Sequence, residues 1–138
     1  TWAEAIPSII LGFTYGWDGG YAEESTLVPG EGYWMWAYEA CDLLIPSNVE
    51  ADNHITYLDV GWNLVGVHKF NRPKLDILVQ YDSDWLTWDD AVGNDVILDF
   101  IYLWYRVGQY YMLYETFLTS HGYWVYAYKG CALKEPIL

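Results

Sequence analysis

Basic residues are scarce in this sequence. Six Lys and Arg stand against nineteen Asp and Glu, which gives a formal net charge of −13 at pH 7. Such a charge repels nucleic-acid phosphates and anionic lipid surfaces, so we expect no nucleic-acid partner. An acidic surface most often serves solvation alone. The alternative is that multivalent cations bridge carboxylates between chains.

Long apolar runs are missing as well. No stretch reaches the roughly 18–20 apolar residues of a membrane-spanning helix, so we predict no membrane span. No charged segment followed by an apolar one opens the chain, so an exported form would already have lost its signal peptide. Little Lys combined with many aromatic and Gly residues favours an extracellular, cell-surface location.

Metal-ligating residues are few. His54, His68 and His121 are scattered, and no Cys or His has the spacing of zinc ligands. One acidic segment offers carboxylate oxygen atoms that could bind Ca²⁺, although it has neither the ligand spacing nor the glycine of an EF-hand loop. The alternative interpretation is that the segment is a solvated loop followed by the start of a helix. The candidate calcium ligands are Asp82, Asp84, Asp89 and Asp90. We expect no other cofactor.

Aromatic residues, in contrast, are abundant, with nine Trp and fourteen Tyr. Residues 122–136 repeat residues 32–46, and eight of the fifteen positions are identical. Upstream, residues 87–92 match residues 1–6, and the matches between these segments are collinear with small insertions. Collinear matches of this kind indicate an internal duplication.

No catalytic centre is recognisable. A free N-terminal threonine can act as a nucleophile, but Thr87, the counterpart of Thr1, lies inside the chain and has no free amine. No pair of carboxylates is singled out by its surroundings as in a glycoside hydrolase. We therefore predict that the chain is not an enzyme.

Each copy has the period of β-strands. Tyr123, Val125 and Ala127 point to one face, and the aromatic residues between them point to the other. A short helical turn precedes the strands, with Thr87 as its N-cap and Gly93-Asn94 as its end in the second copy. The predicted strands cover residues 9–17, 20–28 and 32–45, residues 54–60, 62–68 and 75–81, and residues 96–106, 109–118 and 122–134.

The pattern predicts a mostly β fold made of two duplicated antiparallel β units, sandwich-like, each with one short helical turn. Residues 1–46 form a first, N-terminally incomplete repeat, residues 47–60 a linker with one strand, and residues 61–138 a second, complete repeat. Residues 61–86 have no counterpart in the first unit.

Neither face of the predicted strands is cleanly polar. An antiparallel sheet with one face in water alternates apolar and polar residues. Both faces must therefore be covered, by the other unit or by another molecule, and Tyr and Trp suit such contacts. The aromatic residues assigned to packing or assembly are Trp34, Trp36, Tyr38, Trp62, Trp124, Tyr126 and Tyr128.

Four short motifs occur in order: "GWNLVGV", "TWDDAV", "IYLWYRVGQYYML" and "GYWVYAY". This series resembles the Gly-Trp-Asn…Gly-Tyr-Trp β repeat of secreted and cell-surface proteins of archaea, methanogens especially, and of some bacteria. The resemblance covers nearly all of residues 61–136 and, without the opening strands, residues 1–46. His68 departs from it, because proline is expected there. The resemblance implies β-rich surface modules without catalytic residues, similar to a subunit of a methanogen sheath, surface layer or filament.

The incomplete first unit has a physical consequence. A β unit without its opening strands leaves unpaired N–H and C=O groups along an edge. Either residues 54–67 serve both halves of the chain, or a neighbouring copy donates a strand and assembly propagates head to tail. We predict a structural protein that assembles with copies of itself by β-edge pairing. The alternative is a carbohydrate-binding or adhesion module with a polysaccharide partner, because exposed aromatic rings also stack on sugars.

Two cysteines, Cys41 and Cys131, occupy equivalent positions of the repeat. Two cysteines in an exported protein most often form a disulfide. A bridge within the chain is the first interpretation, a cross-link between chains the second, and free buried thiols the third.

Overall fold

The computed structural model describes residues 1–45, 54–67 and 70–136, and these residues form a mostly β structure with two short α-helices. Helix α1 spans Trp2–Ala5 and helix α2 spans Trp88–Gly93. The Thr87 hydroxyl accepts the Asp90 N–H at 3.1 Å, and Asn94 ends the helix. The predicted helical turn of each unit is confirmed.

The first unit contains one antiparallel sheet of three strands. Strand β1 spans Ile10–Trp17, β2 spans Tyr21–Glu24 and β3 spans Trp34–Ala37. Their order in the sheet is β2-β1-β3, so β1 is central.

The rest of the chain forms a sandwich of two four-stranded antiparallel sheets and a small two-stranded one. Its strands are β4 Ile55–Leu58, β5 Gly61–Val65, β6 Arg72–Pro73, β7 Leu78–Tyr81, β8 Asp84–Leu86, β9 Ile97–Tyr105, β10 Tyr110–Tyr114, β11 Thr116–Phe117, β12 Tyr123–Ala127 and β13 Cys131–Lys134. The strand orders are β10-β9-β12-β5, β4-β13-β7-β8 and β11-β6. The predicted sandwich-like fold of antiparallel β units is confirmed.

The core lies between the two large sheets. Tyr123, Val125 and Ala127 share one face, as the alternation in the sequence predicts, and all three are fully buried there. Trp88 of α2 and Ile101 of β9 are also fully buried. Burying a large apolar side chain contributes about 1.5–3 kcal/mol, so this face supplies most of the stability of the second unit.

Three of the predicted strands are clearly wrong in their extent. Residues 122–134 form two strands, β12 and β13, which belong to different sheets. The chain bends between Ala127 and Cys131, where Tyr128 N–H donates to Val96 O at 2.8 Å. This bend carries the chain from one sheet of the sandwich to the other. Likewise, residues 32–45 contain only β3, and residues 109–118 divide into β10 and β11.

The two units repeat a side-chain hydrogen bond as well as a sequence. In the first unit, Val28 N–H donates to the Tyr33 hydroxyl at 2.8 Å. In the second, Leu118 N–H donates to the Tyr123 hydroxyl, also at 2.8 Å. The duplication therefore extends to the contacts that fix the turn before the closing strand.

Some predictions lie outside the described residues. They concern His68 and residues 47–53 of the linker at 47–60; residues 54–60 are described and contain β4. The boundaries 1–46, 47–60 and 61–138 stay predictions. Neither of the two α-helices within the described ranges is long and apolar enough to cross a membrane.

Candidate functional site

The two units pack through the aromatic faces of their sheets. Trp17 of the first unit meets Trp124 of the second with ring centroids 5.1 Å apart and planes at 86°. Trp34 of the first unit meets Trp104 of the second at 5.4 Å and 74°. In the repeat, Trp17 corresponds to Trp104 and Trp34 to Trp124. The two contacts are thus the same contact made in both directions, as across a two-fold axis.

Two tyrosines follow the same symmetry. Tyr21 lies 6.5 Å from Trp124 at 77°, and its counterpart Tyr111 lies 6.5 Å from Trp34 at 77°. Burial raises the pKa of the Tyr21 hydroxyl, and the neighbouring Tyr111 raises it further. The Tyr21 phenol therefore stays neutral at physiological pH.

One close backbone approach of the units also involves equivalent residues, Gly32 and Gly122. A Cβ atom on Gly32 would lie 3.4 Å from the Cα of Gly122 and 2.7 Å from the Cγ of Leu64. Only a residue without a side chain fits this point, which explains the glycine that precedes Tyr-Trp in the first unit.

An open cleft of about 420 Å³ lies beside this contact. Its volume falls in the range of about 300–1,000 Å³ that is usual for small-molecule sites. Both units contribute walls, from strands β1, β2, β5, β9, β10 and β12. The lining residues are Trp17, Tyr21, Trp62, Tyr102, Tyr111 and Trp124.

The rings of the cleft stand nearly perpendicular to one another. Trp62 meets Trp124 at 87° and Tyr102 at 69°, and Trp17 meets Tyr21 at 76°. The Trp17 indole N–H donates to the backbone carbonyl of Trp62 at 2.8 Å, which fixes its orientation. The result is a rigid box with aromatic walls.

A second feature is the uncovered face of the first unit. Trp2 is 38% exposed, whereas its counterpart Trp88 is 0% exposed in the core of the second unit. Leu43 is 48% exposed, whereas its counterpart Leu133 is 7% exposed. In the second unit this face is covered by the sheet β4-β13-β7-β8, and the described part of the first unit has no equivalent sheet.

The same difference holds along β3. Met35 and Ala37 are exposed, whereas their counterparts Val125 and Ala127 are fully buried. In the described residues β3 pairs with β1 alone, whereas its equivalent β12 pairs with both β9 and β5. Among the described residues, one edge of β3 therefore lacks the strand that the repeat provides elsewhere.

Strand β5 touches both units without completing the first. It forms a full ladder with β12. On its other side, Gly32 N–H donates to Leu64 O at 2.9 Å, and Gly66 N–H donates to Gly30 O at 3.0 Å. Residues 54–67 therefore contact the first unit at the turn before β3 but leave β3 itself unpaired on that side.

The aromatic residues predicted for packing or assembly divide into two groups. Trp34, Trp62 and Trp124 lie at the contact between the units or line the cleft, and Tyr126 packs against Trp62 at 5.0 Å. Trp36, Tyr38 and Tyr128 are exposed and lie outside the cleft lining, whereas Trp62 is exposed within the cleft. The prediction missed four lining residues of the cleft, which are Trp17, Tyr21, Tyr102 and Tyr111.

The disulfide expected between Cys41 and Cys131 is not formed, and this prediction is corrected. Cys131 is buried on β13 and Cys41 is exposed, and both are free thiols. The positions are equivalent in the repeat, but β13 exists only where β4 and β7 flank it. Burial raises the pKa of the Cys131 thiol to about 11, which makes it unreactive near neutral pH.

An ion-pair cluster around the buried Lys74 supports the second unit. The buried Lys74 ammonium lies 2.9 Å from a carboxylate oxygen of Asp99 and 2.9 Å from one of Glu115, and Trp88 Nε1–H donates to Asp99 at 3.1 Å. Burial acts to lower the pKa of Lys74, but hydrogen bonds to Glu115 and Asp99 raise it above its ordinary value. The hydrogen bond from Lys74 lowers the pKa of Asp99 despite burial.

The candidate calcium ligands do not form one metal-binding group. Asp82 and Ser83, at φ 50° and 72°, form the two-residue turn between β7 and β8, and Asp89 and Asp90 lie in the first turn of α2. In the ranges 1–45, 54–67 and 70–136 no three His, Cys, Asp or Glu side chains form a group that could hold a metal ion. Calcium binding stays a prediction.

Comparison of the chain with models of known protein families, with curated proteins and with solved structures returned no match.

Proposed function

We propose that this chain is a structural module of a cell envelope, assembling with copies of itself into an extracellular sheath, layer or filament. The observation that carries the proposal is the uncovered face of the first unit, whose residues are buried at the equivalent positions of the second. The resemblance to the Gly-Trp-Asn…Gly-Tyr-Trp repeat of surface proteins agrees with this proposal.

The unpaired edge of β3 supplies the contact. A strand with free N–H and C=O groups pairs with an edge strand of another molecule unless charge, proline or a bulge prevents it. Strand β3, with the sequence Trp-Met-Trp-Ala, contains no charge and no proline, and the extra residues at the register shift of the β1–β3 ladder lie on β1. An edge of one copy that binds a different edge of the next gives a contact that does not close, and such contacts propagate.

Burial of exposed apolar side chains would also favour assembly. Trp2, Met35 and Leu43 present exposed apolar surface on the first unit. Covering one such side chain contributes about 1.5–3 kcal/mol when its burial is complete. A copy that pairs with β3 would also cover these residues, so hydrogen bonds and apolar contacts favour the same arrangement.

Assembly is tested by negative-stain microscopy and light scattering over a range of protein concentrations, with and without Ca²⁺. We expect fibres, hoops or sheets. A monodisperse monomer at high concentration and at every calcium level would contradict the proposal.

Two matched variants locate the edge. Ala37→Lys places a charge on β3, and Ala22→Lys places the same charge on β2 at the opposite edge of the sheet. We expect Ala37→Lys to abolish assembly and Ala22→Lys to preserve it. Equal assembly of both variants would exclude β3 as the contact.

Carbohydrate binding is the alternative. The exposed rings of Trp36 and Tyr128 favour it, because a flat aromatic face stacks on a sugar ring. Retention of the chain on insoluble polysaccharides, and its loss in Trp36→Ala, would support this function in place of assembly.

A further inference from the structure

The aromatic cleft is a built site that assembly through β3 does not use. Its six lining side chains are all aromatic and come from both units. Tyr21, Trp62 and Tyr111 remain about half exposed, so a ligand reaches their rings from solvent.

The chemistry of the walls restricts the ligand. The lining contains no carboxylate, amide or basic side chain, and its polar groups are phenol hydroxyls and indole N–H groups. One of these, the Trp17 indole N–H, is already bonded to Trp62 O. A sugar or a peptide that enters the cleft would find few hydrogen-bond partners on its walls, and each polar group that the walls shield from water would cost about 1–3 kcal/mol.

A quaternary ammonium group has no such cost, because it carries a positive charge and no N–H donor. The faces of aromatic rings attract cations, and several rings at right angles surround such a group with their negative faces. The mutual angles of Trp62, Trp124 and Trp17 with their neighbours lie between 69° and 87°. The net charge of −13 adds a long-range attraction for cations.

We propose that the aromatic cleft between the two units binds the quaternary ammonium group of a small cationic solute. The perpendicular rings surround the methylated nitrogen, and the open side of the cleft leaves room for the rest of the molecule. This site is independent of the assembly edge at β3.

The test is calorimetric titration of the full chain with choline and with 3,3-dimethylbutan-1-ol, a neutral alcohol of the same shape. We expect saturable binding of choline that is about tenfold tighter than that of the alcohol, the factor that one desolvated cation–π contact supplies. Equal binding of the two compounds, tighter binding of methyl glucoside, or absence of saturable binding would overturn the proposal.

Two Trp→Leu variants, at positions where the tryptophan is equally exposed, control for the general effects of removing a tryptophan. Trp62 is 41% exposed in the cleft, and Trp85 is 40% exposed on β8 outside it. Trp62→Leu keeps the backbone carbonyl that anchors Trp17, so the cleft loses one wall without losing that bond. We expect Trp62→Leu to weaken choline binding at least fivefold and Trp85→Leu to leave it unchanged; the reverse result would overturn the proposal.

A second substitution separates the contribution of a tyrosine ring to binding from that of its hydroxyl group. Tyr111→Phe keeps the aromatic face and removes only the phenol oxygen. We expect it to retain choline binding within about twofold, because cation–π attraction comes from the ring. Loss of binding in Tyr111→Phe, with an unchanged circular dichroism spectrum, would assign recognition to the hydroxyl and refute the aromatic box.

Discussion

Replacing Trp88 and Trp2 by alanine in separate proteins measures how differently the two units are covered. Trp88 is fully buried, packs on Phe117 at 6.2 Å between ring centroids and donates its indole N–H to Asp99. Truncation of a buried Trp costs about 3–5 kcal/mol, because transfer and cavity terms add. Trp2 leaves more than a third of its surface in solvent, so its truncation should cost about 1–2 kcal/mol.

The assay is urea denaturation followed by far-ultraviolet circular dichroism, at a protein concentration at which light scattering reports monomers. We expect Trp88→Ala to lower the unfolding free energy at least twice as much as Trp2→Ala. Equal losses would refute the reasoning, because they would mean that the face of the first unit is covered within one chain. At concentrations that permit assembly, the cost of Trp2→Ala should rise, since a neighbouring copy then covers the ring.

Three further outcomes follow from the contacts. Gly32→Ala should lower the unfolding free energy by about 1–3 kcal/mol, because the added methyl group overpacks the contact between the units. Gly93→Ala is the control: its Cβ meets nothing within 4 Å, so it should be neutral or slightly stabilising in the same urea titration. Ellman's reagent at pH 8 should modify Cys41 alone in the native chain and Cys131 only after unfolding; two fast thiols, or none, would contradict the assigned burial. In Asp99→Asn, the unfolding free energy should fall less steeply as the pH is lowered, because Lys74 lowers the native pKa of the Asp99 carboxyl. The stability that this carboxylate contributes is present above its unfolded-state pKa and is lost as the pH falls through its native pKa. An unchanged dependence of stability on acid pH would contradict the ion pair.

Much of the fold follows from local patterns. The alternation of the sequence predicts that Tyr123, Val125 and Ala127 share one face, because successive side chains of a strand point to opposite sides whatever the strand packs against. Thr87 predicts the start of α2 for an equally local reason, since its hydroxyl satisfies an N–H of the first turn. Such features depend on neighbouring residues alone.

Features that depend on distant partners are not predicted in this way. The cysteine positions match in the repeat, but the surroundings of Cys131 come from β4 and β7, which the first unit does not share. The bend after Ala127 is a similar case, because a second sheet must exist before the chain can cross to it.

The cleft requires both units to be placed against each other. The sequence indicates the cleft only indirectly: when the two repeats are aligned, Trp17 corresponds to Trp104 and Tyr21 corresponds to Tyr111. These matches show which aromatic residues are equivalent but not that they meet across a common axis.

The symmetric contact between the units bears on the ancestry of the chain. A surface that binds its own duplicate is self-complementary, so a single ancestral unit with these tryptophans would have dimerised before any gene fusion. Joining the two copies replaces a concentration-dependent encounter with an effective concentration in about the millimolar range. Once the partner is tethered, one half is released from the need to complete its own sandwich, and its sequence can diverge.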